Sequence, residues 1–460
     1  MKVSIVVVGM LFYPLFSYCQ KQAAIWYFGD GAGLNFREGS PSPIFDGQLF
    51  TREGSAVISD EDGNLLFYTD GVTVWDKNHT PMPSGEGLKG SFTSTQSALI
   101  VPQPGSDRYF YIFTTAYQAE ADGLNYSLVD ITLNNGGGDV VLKNQQLYTP
   151  TTEKLAAAFH ANGRDVWVVT HRWESDEFYT YLITADGLQE EPVISKAGIR
   201  HEYGSSNERA SGPMKISPKG DKLALLIVGL NVVEVFDFST ITGTVANPIH
   251  ITGFEALPYI YGLEFSPNGR YIYVSEHGNA EEKSKLFRFN LSSNRRHLVV
   301  GSKEIIAEEV YIRSMQLGPD YKIYIAIALS GFLASVDNPN DRKIHYTHEA
   351  LNLSPMKSSL GLPNFISTYF LAPDPVIEFP NAFSPNKDCI NDFFEPMIFN
   401  FVSTFHFNIV DRDGKSVYSS DSSAKWSGEN AETGVYFWSL EYSGINGAHG
   451  VVKGWVNLIR

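Results

Sequence analysis

MKISPKGDKLALLIV (residues 214–228) and LEFSPNGRYIYVSE (residues 263–276) read alike: an apolar run, a Ser-Pro-x-Gly turn, then a second strand. Proline presets φ and glycine tolerates positive φ, so residues 217–220 and 266–269 predict tight hairpins. The same unit recurs outward from this pair, as SAVISDEDGNLLFYTD (55–70), SALIVPQPGSDRYFYIFTT (97–115), LAAAFHANGRDVWVVTH (155–171) and MQLGPDYKIYIAIA (315–328). Successive copies start roughly 42 to 60 residues apart, the period of four-stranded sheets repeated around an axis. Most copies are followed by a further strand signal: VTVWD from Val72, NYSLVDI from Asn125, FYTYLIT from Phe178, VVEVFDF from Val232 and KLFRFNL from Lys285.

An all-β chain with this repeat is expected to form a β-propeller, because blades stacked radially bury both of their faces. That burial explains the unbroken apolar run at residues 223–228. Six copies are clear. A seventh blade is expected from GLPNFISTYF (361–370) joined by IWYFGDGAGLNF (25–36), since closing the ring removes its exposed strand edges. Seven blades are therefore preferred to six. A large β-sandwich is the competing architecture, but it does not require a recurring turn.

Composition agrees. Of 460 residues, 43% are hydrophobic and only 19% charged, which excludes a disordered chain. Phe (30), Tyr (24) and Trp (7) supply strand formers, while 40 Gly and 23 Pro supply turns. The formal charge of −16, with Arg295-Arg296 as the longest basic stretch, argues against nucleic acid or an anionic membrane as partner.

Residues 1–19 read as a signal peptide: Lys2, an apolar stretch from Val3 to Phe16, then small residues at Ser17 and Cys19, with cleavage expected before Gln20. The apolar run is short for a membrane span, and bulky Tyr18 before Cys19 disfavours lipidation. After cleavage only Cys389 remains, so no internal disulfide is expected. It is either a buried small hydrophobe or an exposed thiol.

The propeller is expected over residues 20–370, a Pro-containing linker over 371–380, and a small antiparallel β-sandwich over 381–460. Alternation in FHFNIVD from Phe405 and GVYFWSLEY from Gly434 suits half-buried strands. Residues 411–414 and 444–447 are hairpin turns, and the final strand is expected over residues 451–459.

Here the residues carry a resemblance. FPNAFSPNKDCINDFFEP (379–396), Trp426-x-Gly428, Gly434-x-Tyr436-x-Trp438 and the closing KGWVNLIR (453–460) resemble the gliding-motility-associated C-terminal domain. That family is the type B sorting signal of the Bacteroidetes type IX secretion system. The pattern holds at Asn381, Phe383, Pro385, Asn386, Asp388, Asn391, Asp392 and Phe394, and again at Arg412, Gly414, Gly454, Val456, Leu458, Ile459 and Arg460. Lys387 and Cys389 stand where glycine is usual, and Asp413 where an aromatic is usual. Lys and Cys resist φ values that Gly permits. The segments WYFGDGAGLNF and GLPNF also resemble the propeller half of such proteins. The resemblance implies passage to the periplasm, then across the outer membrane by the type IX machinery, to a secreted or cell-surface location, with a link to gliding motility. The sorting signal falls on Lys453, Gly454, Val456, Leu458, Ile459 and Arg460.

Catalytic motifs are missing: no G-x-S-x-G, H-E-x-x-H, P-loop or Cys pair occurs. Residues 348–352 begin like a zincin but lack the second histidine. His160 and His171 flank one hairpin at opposite ends and are read as hydrogen-bonded structural residues rather than as metal ligands. Asn386, Asp388, Asn391 and Asp392 offer the hard oxygens that Ca²⁺ takes, but the D-x-D-x-D-G spacing is absent and a turn role is preferred. Asp60, Glu61 and Asp62 read as a solvated turn tip, and Trp75, Trp173 and Tyr117 as packing aromatics rather than sugar platforms. No cofactor is expected. The favoured function is a non-enzymatic binding or adhesion module for an extracellular glycan or protein. The alternative is a hydrolase acting on polysaccharide or peptide, which requires carboxylates or histidines converging from several blades on the channel mouth.

Overall fold

The computed structural model describes residues 21–204, 206–254, 259–278, 283–309, 311–388 and 391–460. The expected signal peptide, its cleavage point and Cys389 lie outside the described residues. The repeat is a blade. Ser55–Ser59, Leu65–Thr69, Thr73–Asp76 and Pro81–Glu86 pair in sequence order as blade 1. Blades 2 to 6 follow the same order, with inner strands Ala98–Pro102, Thr151–Phe159, Met214–Ile216, Ile260–Phe265 and Ile312–Leu317. The repeated turns behave as their chemistry dictates. Gly63, Gly163, Gly220 and Gly269 sit at φ of 85°, 71°, 73° and 68°, and each donates its amide to the carbonyl three residues back. The sixth copy has no glycine there, yet Tyr321 adopts φ 64° and donates to the Gly318 carbonyl at 2.9 Å.

A seventh, three-stranded sheet of Ile25–Phe28, Ala32–Asn35 and Ser42–Ile44 completes the ring. It wedges between blades 6 and 1: Trp26 meets Tyr324 edge-on at 5.8 Å, and Tyr27 packs on Tyr68 at 4.6 Å. The other expected half of this blade goes elsewhere. Pro363–Asn364 pairs parallel with Ser55 and Ala56 of blade 1, and Ile366 bridges to Ala157 of blade 3. Asn364 explains the detour. Its Nδ2 donates to the Leu155 carbonyl at 2.9 Å, and its Oδ1 accepts from Gln96 Nε2 at 3.3 Å. The segment thus threads the channel and ties blades 1, 2 and 3 together, rather than adding a strand beside Ile25–Phe28.

The C-terminal part adds two details to the expected sandwich. The segment 371–380 is not wholly a linker, since Val376–Glu378 pairs antiparallel with Ile398–Asn400. Only its first half, carrying Pro373 and Pro375, connects the two parts; beyond Pro375 the Ile377 register allows pairing with Phe399. The antiparallel sandwich adds one short parallel pair. Ala382–Phe383 lies parallel to the terminal strand His449–Leu458, which runs antiparallel to Gly434–Gly444. A buried core of Phe383, Phe394, Phe407, Trp426, Trp438 and Leu458 lies beneath. Among the described residues no helix is long and apolar enough to cross a membrane.

Candidate functional site

With strands running alternately up and down, all interblade loops and the connections between second and third strands emerge on one face of the ring. Phe50, Phe92, Tyr203, Tyr259 and Tyr311 stand in five different interblade loops, and Leu329 in the second-to-third connection of blade 6. They are between 36% and 76% exposed, an unusual concentration of large apolar side chains on one face. Tyr311 and Leu329 also sit in the left-handed region, at φ 59° and 57°, and the Ala328 amide donates to the Tyr311 carbonyl at 2.9 Å. Bulky residues held there carry local strain.

Two carboxylates from different blades converge under this rim. Glu53 enters the inner strand of blade 1, and its Oε2 accepts from the Tyr261 hydroxyl of blade 5 at 2.6 Å. Glu153, fully buried in the inner strand of blade 3, accepts from Thr95 N (2.8 Å) and Thr95 Oγ1 (2.6 Å) on one oxygen. Its other oxygen accepts from Gln118 N (2.9 Å) and Ser211 Oγ (3.0 Å). Burial and then the neighbouring charge of Glu153 push the Glu53 carboxyl up to about 8, against hydrogen bonds from Tyr261 and Thr95. Beside them Lys154 donates to the Ala210 and Ser211 carbonyls at 3.1 and 2.9 Å, and burial pulls its ammonium down to about 7. The mouth therefore places a carboxyl raised by burial, Glu53, beside the densely hydrogen-bonded Glu153.

Between blades 3 and 4, His171 and His201 stack with ring centroids 3.9 Å apart, both fully buried. Burial pulls His171 down to about 3 and His201 well below its ordinary value, so both rings are neutral. His250 Nε2 lies 2.9 Å from Glu234 Oε1, and burial pushes the Glu234 carboxyl up to about 8. For His171, expected to be hydrogen-bonded, both ring nitrogens are buried without a hydrogen-bond partner among the described residues. Stacking on His201 and an edge contact with Phe178 at 4.7 Å hold the ring instead. His160 is half-buried on the opposite face and accepts from the Asn162 amide at 3.0 Å. Residues 348–352 lie on the strand His345–Asn352.

The candidate calcium residues serve their own loop. Asn386 Nδ2 donates to Asp388 Oδ2 at 2.9 Å, Lys387 N to Asp392 Oδ1 at 2.6 Å, and Ser384 N to the Asn391 carbonyl at 2.9 Å. Lys387 takes φ 67°, the glycine-like conformation its position calls for. Among the described residues no group of three or more His, Cys, Asp or Glu gathers as a metal site. Trp75 stacks on Tyr68 at 5.4 Å and Trp173 is buried, while Tyr117 is half-buried on the rim face. Asp60, Glu61 and Asp62 line a cavity on the opposite face.

In the C-terminal part the expected signal residues alternate. Val456 and Leu458 are buried, whereas Lys453 and Ile459 face outward. Gly454 is glycine because a Cβ there would meet the Trp438 indole at 2.7 Å. The Asn457 and Ile459 amides donate to the Asn381 and Phe383 carbonyls at 2.9 and 3.0 Å, and Arg460 Nη2 donates to the Gly428 carbonyl at 2.9 Å. The opening and closing motifs thus meet edge to edge.

Fold and site together describe an all-β chain: a closed propeller with a rimmed channel mouth, followed by a small sandwich. The CHU_C Type IX secretion signal domain matches residues 377–458. No match is found among curated proteins. Solved structures similar to the chain include a protein from Lactobacillus plantarum, at 12% identity and TM-score 0.44, covering 74% of this chain and 98% of that one. A candidate 6-phosphogluconolactonase from Bacteroides fragilis shows 12% identity and TM-score 0.45, covering 74% and 97%. The periplasmic gluconolactonase of Pseudomonas aeruginosa shows 11% identity and TM-score 0.36, covering 76% and 96%.

The acid at the mouth predicts a pH signature. A carboxyl whose folded value is raised from 4.5 to about 8 stabilises the fold fully below pH 4.5 and loses that contribution as pH rises through 8. Glu53→Gln keeps an acceptor for Tyr261 and carries no charge. It should match the parent near pH 4 and exceed it at pH 9 by roughly 1–3 kcal/mol, discounted for the partial exposure of the position. Thermal melts at both pH values decide this, and an unchanged difference across them refutes the buried acid.

Proposed function

We propose that this is an exported protein, matured by removal of residues 1–19 and carried across the outer membrane through its C-terminal domain. Its propeller binds an extracellular glycan or protein at the rimmed mouth, at the cell surface or after release. A role in gliding motility falls within the same reading. The match of residues 377–458 to a type IX secretion signal supports export. The observation that carries binding is the set of exposed apolar side chains delivered to one face by separate loops. Folding alone gives no reason to expose them, and aromatic side chains lead among residues that dominate recognition. The test is a screen of the secreted protein against glycan arrays and cell-wall polymers, repeated with Phe50, Phe92, Tyr203 and Leu329 changed to Ala. The variant should melt as the parent does, because exposed truncations cost little, yet bind roughly tenfold or more weakly. Equal binding by the variant overturns this assignment of the face.

A hydrolase is supported by one observation: Glu53 and Glu153 come from different blades and converge at the mouth, Glu53 held by Tyr261 and Glu153 by Thr95. A carboxyl raised by burial beside a second carboxyl offers the side chains that acid–base catalysis uses. Turnover of polysaccharide or peptide that disappears in both Glu53→Gln and Glu153→Gln would select this reading.

A further inference from the structure

The strand His449–Leu458 is fully paired on one side and mostly open on the other. Gly434–Gly444 runs against its whole length, from Gly434 opposite Leu458 to Ser443 opposite His449. On the second side Ala382–Phe383 reaches Asn457 and Leu458 and stops. Among the described residues no strand pairs with residues 449–455 on that side.

The bonds that do form fix the direction of the free backbone groups. The Asn457 and Ile459 amides donate to the Asn381 and Phe383 carbonyls, so odd-numbered residues turn their amides and carbonyls toward this edge. Alternation along the strand therefore aims the N–H and C=O groups of Val451, Lys453 and Trp455 outward. Their side chains are exposed as well, Val451 and Trp455 by 51% and 50%. Folded proteins usually shorten, cover or charge such an edge, and here one lysine stands between two apolar residues.

Rows of side chains crossing the sheet specify what the edge accepts. One row runs Val410, Phe437, Trp455, each directly opposite the next, and a parallel row runs Asn408, Ser439, Lys453. No carboxylate pairs with Lys453 among the described residues. Opposed apolar pairs and opposed unlike charges both stabilise a sheet. An added strand thus fits best with an apolar residue beside Trp455, an acidic one beside Lys453 and an apolar one beside Val451.

We propose that residues 449–455 form a strand-addition site for an extended polypeptide of apolar–x–acidic–x–apolar pattern. Backbone bonds to Val451, Lys453 and Trp455 supply affinity, and the crossing rows supply selectivity. A second copy of the chain fits less well. Edge-to-edge pairing centred on Lys453 opposes like charges, and each chain carries a formal −16. The site is separate from the propeller mouth and stands whether or not this domain directs export.

The probe is the peptide Thr-Val-Thr-Glu-Thr-Val-Thr, titrated calorimetrically into the secreted full chain. An antiparallel guest is expected, since that pairing is the more stable per residue, and its Val and Glu amides then face the edge. The peptide should bind at least tenfold more tightly than a version N-methylated on Val and Glu, which keeps the side chains and loses the donors. It should also outbind a Lys-centred version, and Lys453→Glu should reverse that order. Val451→Pro removes a donor that the domain's own ladder leaves free, so it should melt close to the parent yet bind about fivefold or more weakly. Equal affinity for the N-methylated peptide, or of Val451→Pro for the parent peptide, overturns strand addition. Equal affinity for the Glu- and Lys-centred peptides removes the charge selection. No binding at millimolar concentration removes the site. A dimer in sedimentation that Val451→Pro dissolves would give the edge to a second copy instead.

Discussion

Deleting residues 23–36 will leave a propeller that aggregates or melts far below the parent, because this stretch builds two of the three strands of the closing blade. Trp26, Tyr27 and Phe28 are almost completely buried there. The Trp26 ring lies 5.0 Å from Phe36, 5.8 Å from Tyr324 and 5.8 Å from Phe365, and its Nε1 donates to the Ala23 carbonyl at 2.9 Å. One side chain therefore joins the closing blade, blade 6 and the segment in the channel. Trp26→Ala alone should cost about 3–5 kcal/mol, the usual range for emptying a buried aromatic site. The deletion should cost more, since it also uncovers the apolar faces of both neighbouring blades. Urea and thermal unfolding measure both variants. A deletion that melts with the parent would mean that six blades close without the seventh sheet.

Removing residues 453–460 should abolish export while the propeller stays folded. The terminal strand holds two neighbours at once, the long antiparallel partner Gly434–Gly444 and the short parallel one at Ala382–Phe383. Without residues 453–460, Ala382–Phe383 loses its partner, residues 434–439 lose one edge of their pairing, and the core loses Val456 and Leu458, each fully buried. A sharper variant is Leu458→Asp, which places a carboxylate in an apolar core. At roughly 0.05–0.15 kcal/mol per residue, about 80 residues of sandwich hold about 4–12 kcal/mol, so a penalty of several kcal/mol removes much of that stability. Fractionation with surface protease treatment should find either variant in the periplasm. A reporter bearing a signal peptide and residues 376–460 should reach the surface. Export of the truncated chain, or retention of the reporter, would reduce this part to an adhesive sandwich.

The turns were legible because their chemistry is local. Proline and glycine at fixed offsets dictate a hairpin wherever they occur, so 217–220 and 266–269 could be read before any fold was known. Their spacing then implied blades, since a sheet with two apolar faces must be covered on both. The opening and closing motifs of the C-terminal part were legible for the same reason, each being a short contiguous pattern. Even the turn at Tyr321, where the expected glycine is missing, follows from its neighbours in the repeat.

What the sequence by itself determined is therefore the repeated hairpin, the all-β propeller class and a C-terminal part of sorting-domain type. The tertiary structure decided the rest. Nothing local in GLPNF says that Asn364 will bond Leu155 and Gln96, more than 200 residues away, and so draw its segment into the channel. Glu53 and Glu153 were ordinary acidic residues until closure of the ring brought them beneath one mouth and removed their water. Glu61 and Asp62 are exposed at their turn, as a turn seen alone would have them, but that three such turns line one cavity follows only from the ring. Burial and convergence depend on contacts between distant segments, and such contacts leave no pattern in the few residues on either side of a site.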